Sequence, residues 1–247
     1  MHNRYDKIVS QFRFKVNGGG VVMFKTETHL HLSEVSPCSM LSAEETVLRY
    51  HKEGYKTLFI TDHFQKSYFD KLGDISWEDK IESFLTGYAL AKKAGEKLGM
   101  NIILSAEIAF NGSCNHYLVY GIDEAFLKSR PDLLDMTIEA FYPYAKEQGV
   151  TVVQAHPFRD KVCTPTPEFV DALEVYNSNP RHENNTDIVT EIALNFGSPM
   201  TSGSDSHRIE DLALSGVITE KEIRTAADYV EQLMGGKLKM IKKDAEL

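Results

Sequence analysis

His29 and His31 stand two residues apart in the segment FKTETHLHLS at 24–33, at the end of a run that reads as a strand. Period-two alternation turns both imidazoles to one face of such a strand, so two nitrogens can reach one cation. Further groups of the same chemical kind recur. His63 ends TLFITDH, Glu107 interrupts the apolar run IILSAEIAF, and His116 opens HYLVYGI. His156 ends TVVQAH, and Asp205 and His207 follow PMTSGS. Imidazole and carboxylate suit zinc, iron and manganese, and a carboxylate can bridge two cations. Glu107 is the candidate bridge, because an unpaired carboxylate inside an apolar strand is costly to bury and needs a compensating charge.

A single histidine of this kind is more simply a hydrogen-bonded structural group. Eight candidate ligands spread over six strand edges are not explained that way, and most follow an apolar run directly. His2, His51 and His182 lack the strand-end placement and are left outside the site. Asp62 turns away from its neighbour His63 by strand alternation, which gives it a supporting part in catalysis or a turn cap. Arg159 in AHPFR faces the same rim and is a candidate for an anionic group, with Arg208 beside His207 as a weaker candidate. Asn177, closing ALEVYN, is a candidate substrate contact or a turn residue.

The elements that must position these groups alternate in type. Helices are expected near 42–53, 77–98, 132–148, 184–196 and 219–234, and strands at 57–61, 102–110, 116–122, 151–155, 172–177 and 199–204. Residues 8–25 read as a hairpin around Asn17 and the glycines 18–20, added before the first motif. The rhythm is α/β in a single domain over 1–247, and about seven strands suit a closed or nearly closed parallel barrel. In such a barrel the carboxyl ends of the strands meet on one face, where residues distant in sequence converge.

The chain has 247 residues, 42% hydrophobic and 26% charged, which excludes a disordered segment. The formal net charge of -9 argues against a nucleic-acid footprint, since phosphate backbones are bound through clustered Lys and Arg. The basic stretch at 237–243 reads as a solvated last segment. Cys38, Cys114 and Cys163 are few, odd in number and widely spaced, which argues against a disulfide framework and for a reducing cytoplasm. No signal-like segment opens the sequence, and no apolar run approaches the roughly 20 residues that span a bilayer.

The ordered set His29-x-His31, Thr61-Asp62-His63, Glu107, His116, His156-Pro157 and Asp205-x-His207 resembles the polymerase-and-histidinol-phosphatase (PHP) family over residues 26–208. The resemblance implies a distorted (β/α)7 TIM-like barrel carrying two or three divalent metals (Zn, Mn or Fe) and acting on phosphate esters. It further implies one metal near His29, His31, Glu107 and Asp205, a second near His63 and His207, and a third near Glu107, His116 and His156. Members often place one more His or Asp shortly after the H-x-H pair. This chain has SEVSPCS at 33–39 instead, leaving Cys38, Glu34 or water for that position. Glu27, two residues before His29, also departs from the pattern, and its role is open at this stage.

The expected reaction is hydrolysis of a small phosphomonoester by a metal-bound hydroxide, with His207 or a metal-bound water protonating the leaving oxygen. Histidinol phosphate, nucleotide and sugar phosphates share the reacting group. An amidohydrolase or deaminase also places H-x-H on an early barrel strand and is the nearest rival. A catalytically silent metal-binding regulator is the rival from another class, and a nuclease module is disfavoured by charge.

Overall fold

The computed structural model describes residues 22–159, 163–183 and 185–242. Ten strands and eight helices occur among them: β1 Phe24–Glu27, α1 Ala43–Lys52, β2 Tyr55–Ile60, β3 His63–Gln65, α2 Lys66–Lys71, α3 Trp77–Phe84, α4 Thr86–Leu98, β4 Asn101–Ala109, β5 His116–Tyr120, α5 Glu124–Ser129, α6 Ile138–Glu147, β6 Thr151–Ala155, β7 Ala172–Asn177, α7 Thr186–Phe196, β8 Met200–Gly203, β9 Ser215–Thr219, α8 Ala226–Met234 and β10 Lys239–Lys242. The sheet runs β10-β9-β1-β2-β4-β5-β6-β7-β8, with β3 continuing alongside β4. It wraps into a nearly closed, barrel-shaped α/β fold, as the alternation predicts. The ends approach beyond β1 and β8, where Asp205 N donates to His29 O at 2.8 Å and His31 N to Ser206 O at 3.2 Å.

Sequence alternation sorts the strands. Along β4, Leu104, Ala106 and Ile108 face outward into a core with Phe64, Phe84, Phe141 and Val189. Ile103, Ser105 and Glu107 take the opposite face, and Ile103 joins Phe59, Leu118, Tyr120, Val153 and Val217. Tyr229 and Leu233 of α8 belong to that same inner cluster, so this helix packs against the apolar end of the barrel. The other end carries the polar groups. On the third side Val47 and Tyr50 of α1 pack with Ala91 and Ala94 of α4 against Leu58 and Ile60. Helix α1 starts where Ser42 accepts a hydrogen bond from Glu45 N, a side-chain cap that satisfies an otherwise orphaned donor.

Four expectations change. The barrel is mixed rather than parallel, since β5 is antiparallel to both β4 and β6. The short link from Ala109 to His116 admits only a hairpin, because a parallel return needs a crossover of a dozen residues or more. The region assigned to a helix near 219–234 contributes a shorter α8, and an unforeseen β9 precedes it. The basic segment at 237–243 supplies β10, paired antiparallel with β9 from Lys239↔Ile218 to Lys242↔Ser215. Finally, Cys114 and Cys163 are joined by a disulfide, Cα to Cα 5.5 Å. Pairing of β5 with β6 brings the loop before His116 beside the segment after His156, so wide spacing in sequence is no separation in space. Most of the hairpin expected at 8–25 lies outside the described residues. No helix among the described residues is long and apolar enough to cross a membrane.

Candidate metal centre

All eight sequence-selected ligands meet at the polar end of the barrel. Glu107 is their hub. Its Oε1 lies 2.9 Å from His116 Nδ1, 2.8 Å from His156 Nε2 and 3.6 Å from His29 Nε2. Its Oε2 lies 2.6 Å from His63 Nδ1 and 3.5 Å from His31 Nε2. Asp205 Oδ1 sits across from it, 3.1 Å from His31 Nε2 and 3.5 Å from His29 Nε2. His116 opens its strand and still reaches the site, because the reversal of β5 puts its first residue at the face where the parallel strands end.

Three of the candidate ligands, His29, His156 and His207, have a support of their own. Glu174 Oε1 is 3.0 Å from His29 Nδ1, leaving Nε2 to face the cluster. Its Oε2 accepts from His156 N at 2.8 Å and from Asn177 Nδ2 at 2.9 Å. His207 Nδ1 is 2.9 Å from Asp205 O, a carbonyl that can only accept, so its Nε2 presents a lone pair. A Cβ at Gly203 would lie 2.5 Å from His29 Cβ and 2.7 Å from Glu174 Oε1, so only glycine fits behind His29. His156 and Asp205 have φ of 28° and 49°. Such left-handed backbone costs on the order of 1–3 kcal/mol and concentrates at functional sites.

Glu27 is a keystone rather than a ligand. Its Oε1 accepts from Thr28 N at 3.0 Å, His29 N at 3.0 Å and Ser204 N at 2.9 Å. Its Oε2 accepts from Tyr50 Oη at 2.9 Å and Ser204 Oγ at 2.5 Å. Burial pushes its carboxyl up to about 7 despite these donors. It ties the H-x-H segment to the segment that carries Asp205 and His207.

The secondary candidates divide. Asp62 is not among the ligands. Its Oδ1 accepts from Leu32 N and Ser36 Oγ, both at 2.7 Å, and so holds the loop after His31. Asn177 is spent inside the protein, donating to Glu174 and accepting from Asn179 N at 3.0 Å, which corrects its assignment as a substrate contact. His207, with Nδ1 against the Asp205 carbonyl, turns Nε2 toward His63. Arg208 is exposed at the rim, 3.9 Å from Glu210. Arg159 lies over the site, with Nη1 3.3 Å from His156 Nε2 and Nη2 2.7 Å from His182 Nε2. Sequence reasoning set His182 aside because it sits in a polar turn, and it missed Glu174. The signal for Glu174 was present: a carboxylate inside the apolar strand ALEVYN, the same mark that singles out Glu107.

The donor set fits divalent cations. His29 Nε2 and His31 Nδ1 are buried without a hydrogen-bond partner, and unpartnered buried polar atoms are rare. Four groups each bring ligand atoms within 4.8 Å of one another: His29, His31 and Glu107; His29, His156 and Asp205; His63, Glu107 and His116; His31, His63 and His207.

The comparisons now bear on this geometry. No protein-family model and no curated protein matches the sequence. A two-domain protein from Bacteroides vulgatus containing a predicted PHP-like metal-dependent phosphoesterase superposes with a TM-score of 0.67 at 18% identity, covering 94% of this chain and 69% of that one. The chain has the PHP-like barrel fold. An amidohydrolase from Chromobacterium violaceum, with bound sulfate and no metal, gives a TM-score of 0.55 at 17% identity over 90% of this chain and 100% of its own. A protein from Bifidobacterium adolescentis, provisionally assigned as a metal-dependent phosphoesterase, gives 0.51 at 16% identity over 87% and 97%. Likeness at this identity concerns architecture.

The charges gathered in the cluster set an expected pH dependence. Burial alone would lower His63, yet the Glu107 carboxylate raises it from 6.5 to about 10. His29 is likewise raised well above the usual range, its burial outweighed by Glu174, Asp205 and Glu107. Protons on these groups stabilise the fold fully below the unfolded value near 6.5, and that contribution is lost as pH rises through the folded values. Metal-free protein is therefore expected to lose thermal stability between about pH 6.5 and 10. Loading Zn²⁺ at pH 7 should raise the melting temperature and release protons, read from the buffer dependence of the calorimetric heat. A melting temperature unmoved by cations would remove the metal assignment.

Proposed function

We propose that this chain is a metal-dependent hydrolase of small phosphomonoesters. The observation that carries the proposal is the gathering of eight ligand side chains around Glu107 with a guanidinium, Arg159, at their rim. Divalent cations bound there supply Lewis-acid charge and lower the pKa of a coordinated water from 15.7 to about 7. The rest falls to the chain's own groups. Once His156 Nε2 serves as a ligand, Arg159 Nη1 has no acceptor on it and is free to bind a phosphate oxygen, while His182 holds Nη2 in place. Glu174 and the Asp205 carbonyl fix the tautomers of His29 and His207, so their ligating nitrogens face inward without reorganisation. A bound cation inverts the local field, so an acidic protein takes an anionic substrate. Histidinol phosphate, nucleotides and sugar phosphates all satisfy this description.

The test is phosphate release from a panel of monoesters and diesters by protein loaded with Mn²⁺ or Zn²⁺. Release is expected from a monoester and should vanish with a chelator. Losing a group that only orients a ligand costs about 10–100-fold, so His156→Ala should cost at least about 100-fold. The amidohydrolase likeness supports a second reading, C–N hydrolysis at the same centre. Turnover of amides or cyclic ureides by metal-loaded protein that releases no phosphate would establish that reading and refute the first.

A further inference from the structure

The loop of residues 33–41 is where this chain departs from the PHP pattern, and it does not lie away from the cluster. It is fastened to each of three histidines. Ser36 Oγ accepts from His63 N at 3.1 Å, Ser39 Oγ donates to His31 O at 2.9 Å, and Met40 N donates to His207 O at 2.7 Å. Between these staples stands Cys38, an exposed residue that the stapled loop holds beside the imidazoles of His63 and His207. It is the free cysteine among the described residues.

The three histidines form a ligand group of their own. One nitrogen from each of His31, His63 and His207 lies within 4.8 Å of the others. His63 Nε2 and His207 Nε2 face each other at 3.4 Å, and His31 Nδ1 is buried with no hydrogen bond. Of the other groups near this loop, Glu34 is turned away, its two oxygens 2.9 and 3.1 Å from Ala43 N at the start of α1. Asp62 is held by Leu32 and Ser36 on the far side of the loop.

We propose that Cys38 is a thiolate ligand of the cation held by His31, His63 and His207. This inference rests on the reading of the cluster as a metal centre and not on which bond is hydrolysed. A sulfur donor changes what the subsite takes: Cys and His together suit Zn²⁺ or Co²⁺, whereas oxygen-seeking Mg²⁺ and Mn²⁺ gain little from thiolate. The two subsites around Glu107, built from nitrogen and oxygen alone, carry no such bias. The centre is therefore asymmetric, with one thiophilic position at the His63 side.

The experiment uses the full chain, wild type and Cys38→Ser, loaded with Co²⁺ and with Zn²⁺. The expected results are a thiolate-to-cobalt charge-transfer band in the wild type that is absent from the variant, and a Zn–S shell near about 2.3 Å by X-ray absorption. Iodoacetamide should modify Cys38 readily in metal-free wild type and slowly after loading, a readout that needs no variant. Zn²⁺ affinity at this subsite should fall at least about 10–100-fold in Cys38→Ser, with Mn²⁺ affinity nearly unchanged. Full metal occupancy with no charge-transfer band, no sulfur shell and undiminished alkylation overturns the proposal, whatever esters are cleaved. Failure to bind any cation overturns it together with the metal centre. A thiolate band in protein that releases no phosphate upholds it and sinks only the phosphoesterase reading.

Discussion

Glu107→Gln is expected to abolish catalysis while leaving a folded barrel. The carboxylate lies within 3.6 Å of five histidines, and its charge offsets the protons that His29 and His63 hold in the metal-free state. An amide keeps the size and one acceptor oxygen but removes the charge and the second acceptor. Two of the four ligand groups at the barrel mouth contain this carboxylate and lose its charge. Removing a single preorganised electrostatic group typically costs about 10²–10³-fold in rate, and this one serves more than one subsite, so a fall of at least about 10³-fold is expected. Metal content by elemental analysis should drop below that of wild type. The His63 resonance, near pKa 10 in the metal-free wild type, should move down when followed by NMR, because burial then acts without the opposing carboxylate. Wild-type turnover in Glu107→Gln would show that the cluster is not where the reaction happens.

Glu27 is expected to matter as much, by a different route. Glu27→Ala leaves three buried backbone N–H groups, those of Thr28, His29 and Ser204, without an acceptor. Each such orphan costs about 1–3 kcal/mol, and two hydroxyls lose a partner as well. The sum rivals the roughly 5–15 kcal/mol that separates folded from unfolded domains, so this variant should be insoluble or molten. Glu27→Gln should behave otherwise. Its remaining oxygen can serve the three N–H groups, and the hydroxyls of Tyr50 and Ser204 can rotate to accept from the amide. The check is the melting temperature of the two variants side by side. Equal losses for Ala and Gln would mean that the charge, and not the acceptor count, holds this corner together.

Much of the site was legible in the sequence because ligand chemistry and strand ends coincide there. Histidines at strand ends announce themselves, and the six of them gather with Glu107 and Asp205. The alternation of strand and helix gave the fold class on similar grounds. What stayed hidden has physical reasons. Strand direction leaves no trace in a period-two pattern, so the reversal of β5 could be inferred only from the brevity of the link before His116. Met240 and Ile241 lie between Lys239 and Lys242, and only pairing with a distant β9 makes that stretch a strand. The tasks of Glu27 and Glu174 depend on donors up to 177 residues away, which no local window contains. The break between α3 and α4 at Leu85 has no proline or glycine to mark it.

The register of β4 against β5 has a consequence for how the site comes into being. Ala109 pairs with His116, so Glu107 and His116 meet through a hairpin whose two ligands are nine residues apart. His31 and Asp205 are separated by 174 residues. Contacts close in sequence form early, whereas distant ones wait for the chain to close a long loop. During synthesis, then, the His116 side can assemble on the nascent chain long before the ribosome has made Asp205, and the H-x-H pair waits for that carboxylate until β8 has emerged. Ribosome-bound fragments ending short of residue 205 would carry six of the eight candidate ligands, and the longer chain is the first species in which all eight share one space.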